Sequence, residues 1–242
     1  QRVTPFSALI SHIHLKETDD GRLFAKATAS DGTVHLTSIS TQVIALDGAR
    51  ACLGNLMYLS NLLNADMLRG KDISVSVNAR ERNGKRIVTT LQFTPNRRME
   101  INYVATDPFR ASITKPMEIM VPDWPVAFIL DQDSYQEFTN FKRIHAAAPS
   151  TGKEDVIQLS YADERIAIDF GEGGISHTST LTLDVEAVSE TNRPLGIHLL
   201  SDQFLRSLTQ FQGPDSLIEI YMAPKAVKMM CLTEWGEHEL IL

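Results

Sequence analysis

One pattern occurs twice in this chain, and it restricts the possible folds more than any other feature of the sequence. Residues 53–77 read LGNLMYLSNLLNADMLRGKDISVSV, which combines a helical apolar spacing, a polar turn and an alternating strand. Residues 199–222 read LLSDQFLRSLTQFQGPDSLIEIYM, and the same three parts follow in the same order. A repeated unit at this long spacing predicts two copies of one supersecondary plan.

A proline-rich stretch separates the two copies. Pro116, Pro122 and Pro125 lie within SITKPMEIMVPDWPVAF and disfavour a helix, so we predict an extended connector at about 112–126. We therefore divide the chain near residue 118, into an N-terminal domain of residues 1–117 and a C-terminal domain of residues 118–242. A chain of 242 residues can give each of two domains a core of its own.

Strand patterns dominate both halves. Apolar residues alternate with polar ones in five segments: Ile73–Val77, Ile157–Tyr161, Ile166–Phe170, Leu181–Val185 and Ile218–Met222. Such alternation is typical of strands with one buried face. Three short connections predict antiparallel hairpins: Ser30–Thr33, Ala162–Arg165 and Glu81–Lys85, the last with an Asn-Gly pair.

Four segments have helical spacing: Pro5–Ile13, Asn55–Leu68, Asp133–His145 and Asp202–Gln212. In the third helix we expect Phe138, Phe141 and Ile144 to face the core and Arg143 to face solvent. Each helix is half polar, so each should lie on a sheet with one side uncovered. The predicted fold class is therefore α+β, with antiparallel sheets and two helices in each domain.

No motif indicates catalysis or a metal site. The candidates are STGKED at 150–155, GEGGIS at 171–176, HIH at 12–14, ETDDG at 17–21 and GEHE at 236–239. Each lacks the glycine, ligand spacing or element context that a phosphate loop, dinucleotide site, zinc site or calcium loop requires. We therefore expect no catalytic residues, no metal and no cofactor, and interpret these segments as turns, bulges and strand ends.

Composition excludes other classes. The net charge of −7 argues against a protein that covers nucleic acid with its whole surface, although it permits a basic patch on one face. No apolar run reaches the ~18 residues of a membrane span, so no membrane association is expected. Cys52 and Cys231 lie in apolar runs, which favours buried thiols in a reducing compartment over a disulfide or metal site.

The full-length pattern resembles the DNA sliding clamps, in particular the two-domain type of T-even-like bacteriophages and of proliferating cell nuclear antigen. Three segments carry the resemblance: Asp31–Leu63 is similar to the hairpin, crossover strand and second helix of the first domain, Val126–His145 to the opening of the second domain, and Val227–Leu242 to the terminal hairpin. The similarity covers nearly the whole chain in order and spacing, and no single motif is diagnostic.

The resemblance implies a head-to-tail homotrimer, a ring of six similar units with helices lining the hole and sheets outside. Edge strands at the two ends of each subunit would pair between neighbours. For that contact we predict Gly174–Leu183 against Glu100–Ala105. The alternative is that the polar segment Ser176–Thr180 is only a solvated edge.

The resemblance also implies that the ring encloses duplex DNA and tethers a DNA polymerase as a processivity factor, after loading by a partner ATPase. Phosphate contacts would come from helix faces and ends, namely Arg69, Lys71, Lys142, Arg143 and Arg206. Asn140 stands where the family often has a further base, and Asp133, Glu137 and Asp202 oppose the basic residues. A plain solvated face is the alternative for each of the five.

In the family, replication proteins insert a short hydrophobic peptide beside the connector and the C-terminal strand. Here that implies a groove lined by Ile119, Val121, Pro122, Trp124, Leu240 and Ile241. Ordinary packing of the connector is the alternative for each residue. The expected location is the cytoplasm of an infected bacterium, if the protein is phage-encoded.

Three other functions stay open at this point: a monomeric processivity factor with one basic face, a β-rich virion or protein-interaction module with no DNA role, and an enzyme whose residues converge only in three dimensions.

Overall fold

The computed structural model describes residues 10–43, 46–66, 68, 73–96, 98–110, 113–121, 123–146, 156–170, 178–188, 193–200, 203–204, 207–208, 217–234 and 236–242. The chain divides into two compact units, the first of Gln1–Glu118 with Glu234–His238, and the second of Ile119–Thr233 with Glu239–Leu242. The sequence predicted a division near residue 118.

Unit 1 contains seven strands and one helix among its described residues. They are β1 (Ile13–Glu17), β2 (Arg22–Thr28), β3 (His35–Val43), β4 (Ala51–Leu53), α1 (Leu56–Asn64), β5 (Ser74–Arg82), β6 (Lys85–Asn96) and β7 (Met99–Val104). The strands form two antiparallel arrays, in the orders β4-β1-β2-β3 and β5-β6-β7. The β5–β6 turn is the predicted Asn-Gly pair, and both Asn83 and Gly84 have the positive φ of a tight hairpin turn.

The core of unit 1 lies between these two arrays and α1. Asn55 accepts a hydrogen bond from the Tyr58 amide and so caps the helix. Leu59 and Leu62 of the helix then pack with Val88 and Phe93 of β6, and with other buried residues of both arrays. The apolar side of α1 is thereby covered, and its other side is left facing solvent.

Unit 2 contains β8 (Val126–Leu130), α2 (Gln132–Ala146), β9 (Val156–Ala162), β10 (Arg165–Phe170), β11 (Ser179–Asp184), β12 (Glu186–Ala187), β13 (Leu195–Leu200), β14 (Ile218–Ala223), β15 (Ala226–Thr233) and β16 (Gly236–Ile241). The first residues of β16 belong to unit 1 and the last to unit 2. The arrays run β11-β10-β9-β13 and β12-β8-β14-β15-β16. Phe138 of α2 packs against Phe170 of β10 and against Phe204, with ring centroids 5.9 and 5.5 Å apart.

The two units repeat one topology. In each, a hairpin of two neighbouring strands leads to an outer third strand, while the fourth strand returns to the far side of the first, which gives β3-β2-β1-β4 and β11-β10-β9-β13. A helical segment follows the fourth strand, α1 in unit 1 and the helical residues 203, 204, 207 and 208 in unit 2. A three-strand meander then follows, β5-β6-β7 or β14-β15-β16. The α+β fold class and the antiparallel sheets are confirmed.

Several details differ from the expectations. The first predicted helix falls mostly on residues outside the described part, and its last residue, Ile13, starts β1. Helix α1 ends at Asn64 rather than at Leu68. Ile144 of α2 is 72% exposed instead of inward, because Phe138 and Tyr135 occupy the buried face of the helix. Val75 is 49% exposed because β5 lies at the edge of its array, where no described strand covers it.

Candidate functional site

The exposed face of α2 carries few positive charges. Arg143 is exposed and donates to Asn140 Oδ1 at 3.2 Å, an arrangement that points its guanidinium along the helix surface. Lys142 is buried, with 9% of its surface exposed, because it lies on the opposite side of the helix from the solvated stripe. Asp133 and Glu137 are exposed on the same helix. Of the two predicted DNA contacts on α2, only Arg143 is presented to solvent.

Helix α1 has no Lys, Arg, His, Asp or Glu between Leu56 and Asn64. Its exposed side shows Met57 and Tyr58, which are 60% and 46% exposed, together with polar amides. The ring of Tyr58 stacks on that of Tyr103 at 6.3 Å. The other three predicted DNA contacts, Arg69, Lys71 and Arg206, lie outside the described residues. A strongly basic helix surface is therefore absent from the described part of the chain.

The edge of unit 1 at β7 has backbone groups that point away from the sheet. The Ala105 amide donates to the Thr89 carbonyl at 2.9 Å, so these two residues form a hydrogen-bonded pair. Along the β6–β7 register, hydrogen-bonded and non-hydrogen-bonded pairs then alternate from that pair. Antiparallel ladders use every second residue, so the amides of Asn102 and Val104 face the free edge. Val104 is 75% exposed, and no described strand lies beyond it.

The edge of unit 2 at β11 has the same property. The Val185 amide donates to the Glu164 carbonyl at 3.0 Å, and the β10–β11 register places Leu183 and Leu181 in the following hydrogen-bonded pairs. By alternation the backbone groups of Thr180, Thr182 and Asp184 face outward. The two predicted interface segments thus coincide with edge strands, Gly174–Leu183 with β11 and Glu100–Ala105 with β7. Residues 174–177 of the former lie outside the described part.

Within unit 1, the strand that corresponds to β11 is covered. That strand is β3, and residues 234 and 236–238 lie along its outer edge: Thr41 Oγ1 donates to the Glu234 carbonyl at 2.7 Å, and His238 Nδ1 is 2.9 Å from Ser38 Oγ. Gly236 permits the close approach, because a Cβ there would collide with the Ile39 carbonyl. The covering strand, β16, is the topological counterpart of β7. The pairing of β16 with β3 is therefore the counterpart, within this chain, of a pairing between β7 and β11.

Residues 113–121 and 123–125 of the connector lie in neither a helix nor a strand, and they expose apolar side chains. Met117, Ile119 and Met120 are 55%, 37% and 91% exposed. Val121 and Trp124 are half-buried, and Pro122 lies outside the described residues. The exposed apolar side chains of the connector thus include Ile119, which the sequence analysis named, and Met117 and Met120, which it did not.

Trp124 belongs to a cluster that the sequence did not reveal. Its ring meets that of Tyr221 edge to face at 6.5 Å, and the Lys228 ammonium lies 5.2 Å from the Trp124 ring and 4.2 Å from the Tyr221 ring. The Tyr221 hydroxyl donates to Glu219, and this hydrogen bond, with burial and the Glu219 charge, raises the pKa of Tyr221 to about 12. These residues come from three separate segments of the chain. The β14–β15 register alone pairs Tyr221 with Lys228, and no local pattern in the sequence places Trp124 beside them.

Leu240 and Ile241 do not line an open surface. Leu240 is completely buried and Ile241 is 9% exposed, at the end of β16. Direct contact between a peptide and the side chain of Leu240 is excluded in this conformation. This corrects their predicted position in the lining.

In unit 1, burial is the largest cause of the pKa shifts of Cys52, Tyr103, His12 and His14. Burial raises the pKa of the Cys52 thiol to about 11 and, with the nearby Cys52, that of Tyr103 to about 12. Burial lowers the pKa of His14, and a hydrogen bond to the Thr114 carbonyl opposes this shift. Burial and the neighbouring His14 lower the pKa of His12. Within the described ranges no cluster of three His, Cys, Asp or Glu could hold a metal ion.

Comparison with known proteins agrees with this architecture. No protein-family model and no curated protein sequence matches the chain. Among solved structures, proliferating cellular nuclear antigen from Entamoeba histolytica is similar over 99% of this chain and 91% of that one, with a TM-score of 0.70 and 11% identity. A. fulgidus PCNA, solved with the C-terminal region of FEN-1 bound, is similar over 100% and 92%, with a TM-score of 0.69 and 12% identity.

A bacterial structure extends the similarity. The C. crescentus beta sliding clamp matches 99% of this chain with a TM-score of 0.66 and 14% identity, and the chain spans 57% of that longer protein. Among the described residues, no helix has the length and apolar character to cross a membrane. At these identities the comparisons establish architecture, and that architecture agrees with the repeated topology. The chain has the sliding-clamp fold.

Proposed function

We propose that three copies of this chain close head to tail into a ring around duplex DNA and that the ring tethers a DNA polymerase as a processivity factor. One observation carries the proposal: β7 and β11 are open edges among the described strands, and their counterparts in the repeated topology, the start of β16 and β3, already pair within unit 1. Pairing β7 of one copy with β11 of the next repeats that arrangement and covers both of these edges at every interface of a closed ring.

Three copies supply six similar units, which is the number that the resemblance to two-domain clamps implies. The exposed sides of α1 and α2 would face the hole. On α2 the described residues provide Arg143 against Asp133 and Glu137, and the other proposed contacts, Arg69, Lys71 and Arg206, lie outside the described part of the chain. Topological enclosure needs few contacts, and weak phosphate contacts carry no sequence information and permit sliding.

The connector is the proposed docking strand for the polymerase and for the ATPase that loads the ring. Ile119, Val121 and Trp124, with Pro122 between them in the sequence, would contact an extended apolar peptide, and Leu240 and Ile241 would support them from beneath. No reaction is assigned to the chain, which acts as a scaffold. Its place in phage replication, inside an infected bacterial cell, rests on the sequence resemblance alone.

The experiment that tests the ring has two parts. We expect light scattering to give a mass near three times 27.0 kDa. We also expect that protein loaded onto a nicked circular plasmid stays bound at a salt concentration that removes surface-bound protein, and that it is lost after one restriction cut. A mass of one chain at every concentration contradicts the ring. Equal retention on circular and linear DNA contradicts enclosure.

A further inference from the structure

The first part of the connector is hydrogen-bonded to unit 1 at two points. The Met117 amide donates to Thr28 Oγ1 at 3.2 Å, and His14 Nε2 lies 3.0 Å from the Thr114 carbonyl oxygen. The second contact makes Nε2 of His14 a donor, because a carbonyl oxygen only accepts. Met117 is two residues before Ile119, so the anchored segment leads directly into the exposed apolar strip.

The hydrogen bond between Met117 and Thr28 is the end of a buried series of hydrogen bonds, in which each donor and acceptor can be assigned. Thr28 is 3% exposed and His35, which faces it across β2 and β3, is 5% exposed. His35 Nε2 lies 2.9 Å from the Gly32 carbonyl, so it donates there, and in the neutral ring Nδ1 is then an acceptor. The Thr28 hydroxyl therefore donates to His35 Nδ1 at 3.3 Å, and its oxygen accepts from the Met117 amide.

We propose that the Thr28–His35 pair is a positioning device for the connector: it fixes the Thr28 hydroxyl as an acceptor for Met117 and thereby holds the strip that begins at Ile119 in an extended, docking-competent conformation. This inference rests on the proposed docking role of the connector. The physical reason is that a strand fixed before its partner arrives loses less conformational entropy on binding than a free segment does. Thr28 and His35 themselves would contact no partner.

The chain offers a matched set of variants. Thr28→Val keeps the shape of the side chain and removes the acceptor, and Thr28→Ser keeps the hydroxyl. Thr37→Val makes the same chemical change at a threonine of β3 that has no side-chain hydrogen bond among the described residues. The measurement is residue-resolved amide hydrogen exchange of the full chain, followed at Met117.

Thr28→Val should increase exchange at Met117 about 5- to 10-fold, the effect of losing one ordinary hydrogen bond. Thr28→Ser and Thr37→Val should leave the Met117 rate near that of the wild type. The rate of cleavage after Glu118 by a glutamate-specific protease should rise only in Thr28→Val. Unchanged exchange in Thr28→Val, or the same increase in Thr28→Ser, overturns the proposal.

A measurement on the wild-type protein does not depend on any variant folding. Relative to the rates of an unstructured chain, the Met117 amide should exchange several-fold more slowly than the amide of Met120, which has no described acceptor and is 91% exposed. Equal protection of the two amides overturns the anchor. If Ile119→Asp leaves polymerase binding unchanged, the docking role fails while Met117 exchange still reports on the anchor, so the two failures are distinguishable.

Discussion

The open edge at β7 gives the sharpest test of the ring. Asn102 is exposed, and its amide faces the free edge, so Asn102→Pro removes an outward donor without breaking the β6–β7 ladder. Asn102→Ala is the matched control, since it removes the side chain and its 2.9 Å hydrogen bond to Glu100 but keeps the amide. We expect the proline variant to fold normally and to assemble poorly, and the alanine variant to assemble like the wild type.

The magnitude follows from the number of interfaces. A carbonyl on the facing β11 strand would be left without a donor, which costs about 1–3 kcal/mol in each interface. Taking about 2 kcal/mol for each of three identical interfaces gives about 6 kcal/mol for the ring, or about 10⁴-fold in the trimerisation constant. Because that constant has the dimensions of concentration squared, the midpoint of assembly should move to about 100-fold higher protein concentration.

Sedimentation velocity over a wide range of concentrations measures this midpoint, and the melting temperature of the dilute protein checks the fold. An unchanged midpoint in Asn102→Pro would refute the assignment of β7 to the interface. An equal shift in Asn102→Ala would show that the side chain, not the backbone donor, makes the contact. Either result would contradict the argument from alternating backbone groups.

Three further predictions concern the phosphate contact at Arg143 of α2, the apolar residue Ile119 of the connector, and His14 of β1. Arg143→Gln removes three copies of one phosphate contact from the ring and should reduce the slope of log binding against log salt by up to about 2.7, whereas Arg165→Gln on β10 should not change this slope. Ile119→Asp should weaken binding of the replicative polymerase with little change in melting temperature. Ile241→Asp should instead lower the melting temperature, because it buries a carboxylate. The reverse pattern would contradict the observed burial of these two residues. Folding lowers the pKa of His14, so this residue binds a proton more readily in the unfolded chain than in the folded one. The free energy of unfolding should therefore decrease as the pH falls through 6.5. His14→Gln should reduce this decrease, as measured by urea denaturation between about pH 7.5 and 5.5.

Much of the fold could be predicted because it depends on local patterns. The alternation in Ile157–Tyr161 and Ile166–Phe170 identified two strands whose apolar members are all buried. The Asn83-Gly84 pair identified its hairpin, since a tight turn needs positive φ at both residues. The spacing of Phe138 in α2 placed it in the core. Ile144 was predicted wrongly, because the buried face of α2 carries Tyr135, Phe138 and Lys142, and helical spacing alone did not show how the helix is rotated about its axis.

The candidate sites were less predictable because they depend on contacts between distant segments. The exposure of Arg143 and the burial of Lys142, its neighbour in sequence, follow from how α2 is rotated on its sheet. Leu240 is a terminal apolar residue in the sequence, and only the sheet around β16 shows that it is fully buried.

The sequence by itself determined the repeat and the α+β class, because hydrophobic periodicity acts over a few residues. Only the tertiary structure decided which strands are open edges, which backbone amides point outward, and that Thr28 and His35 hold the connector at Met117. Those properties arise from register and burial, which are set when segments nearly 90 residues apart in the chain pack together.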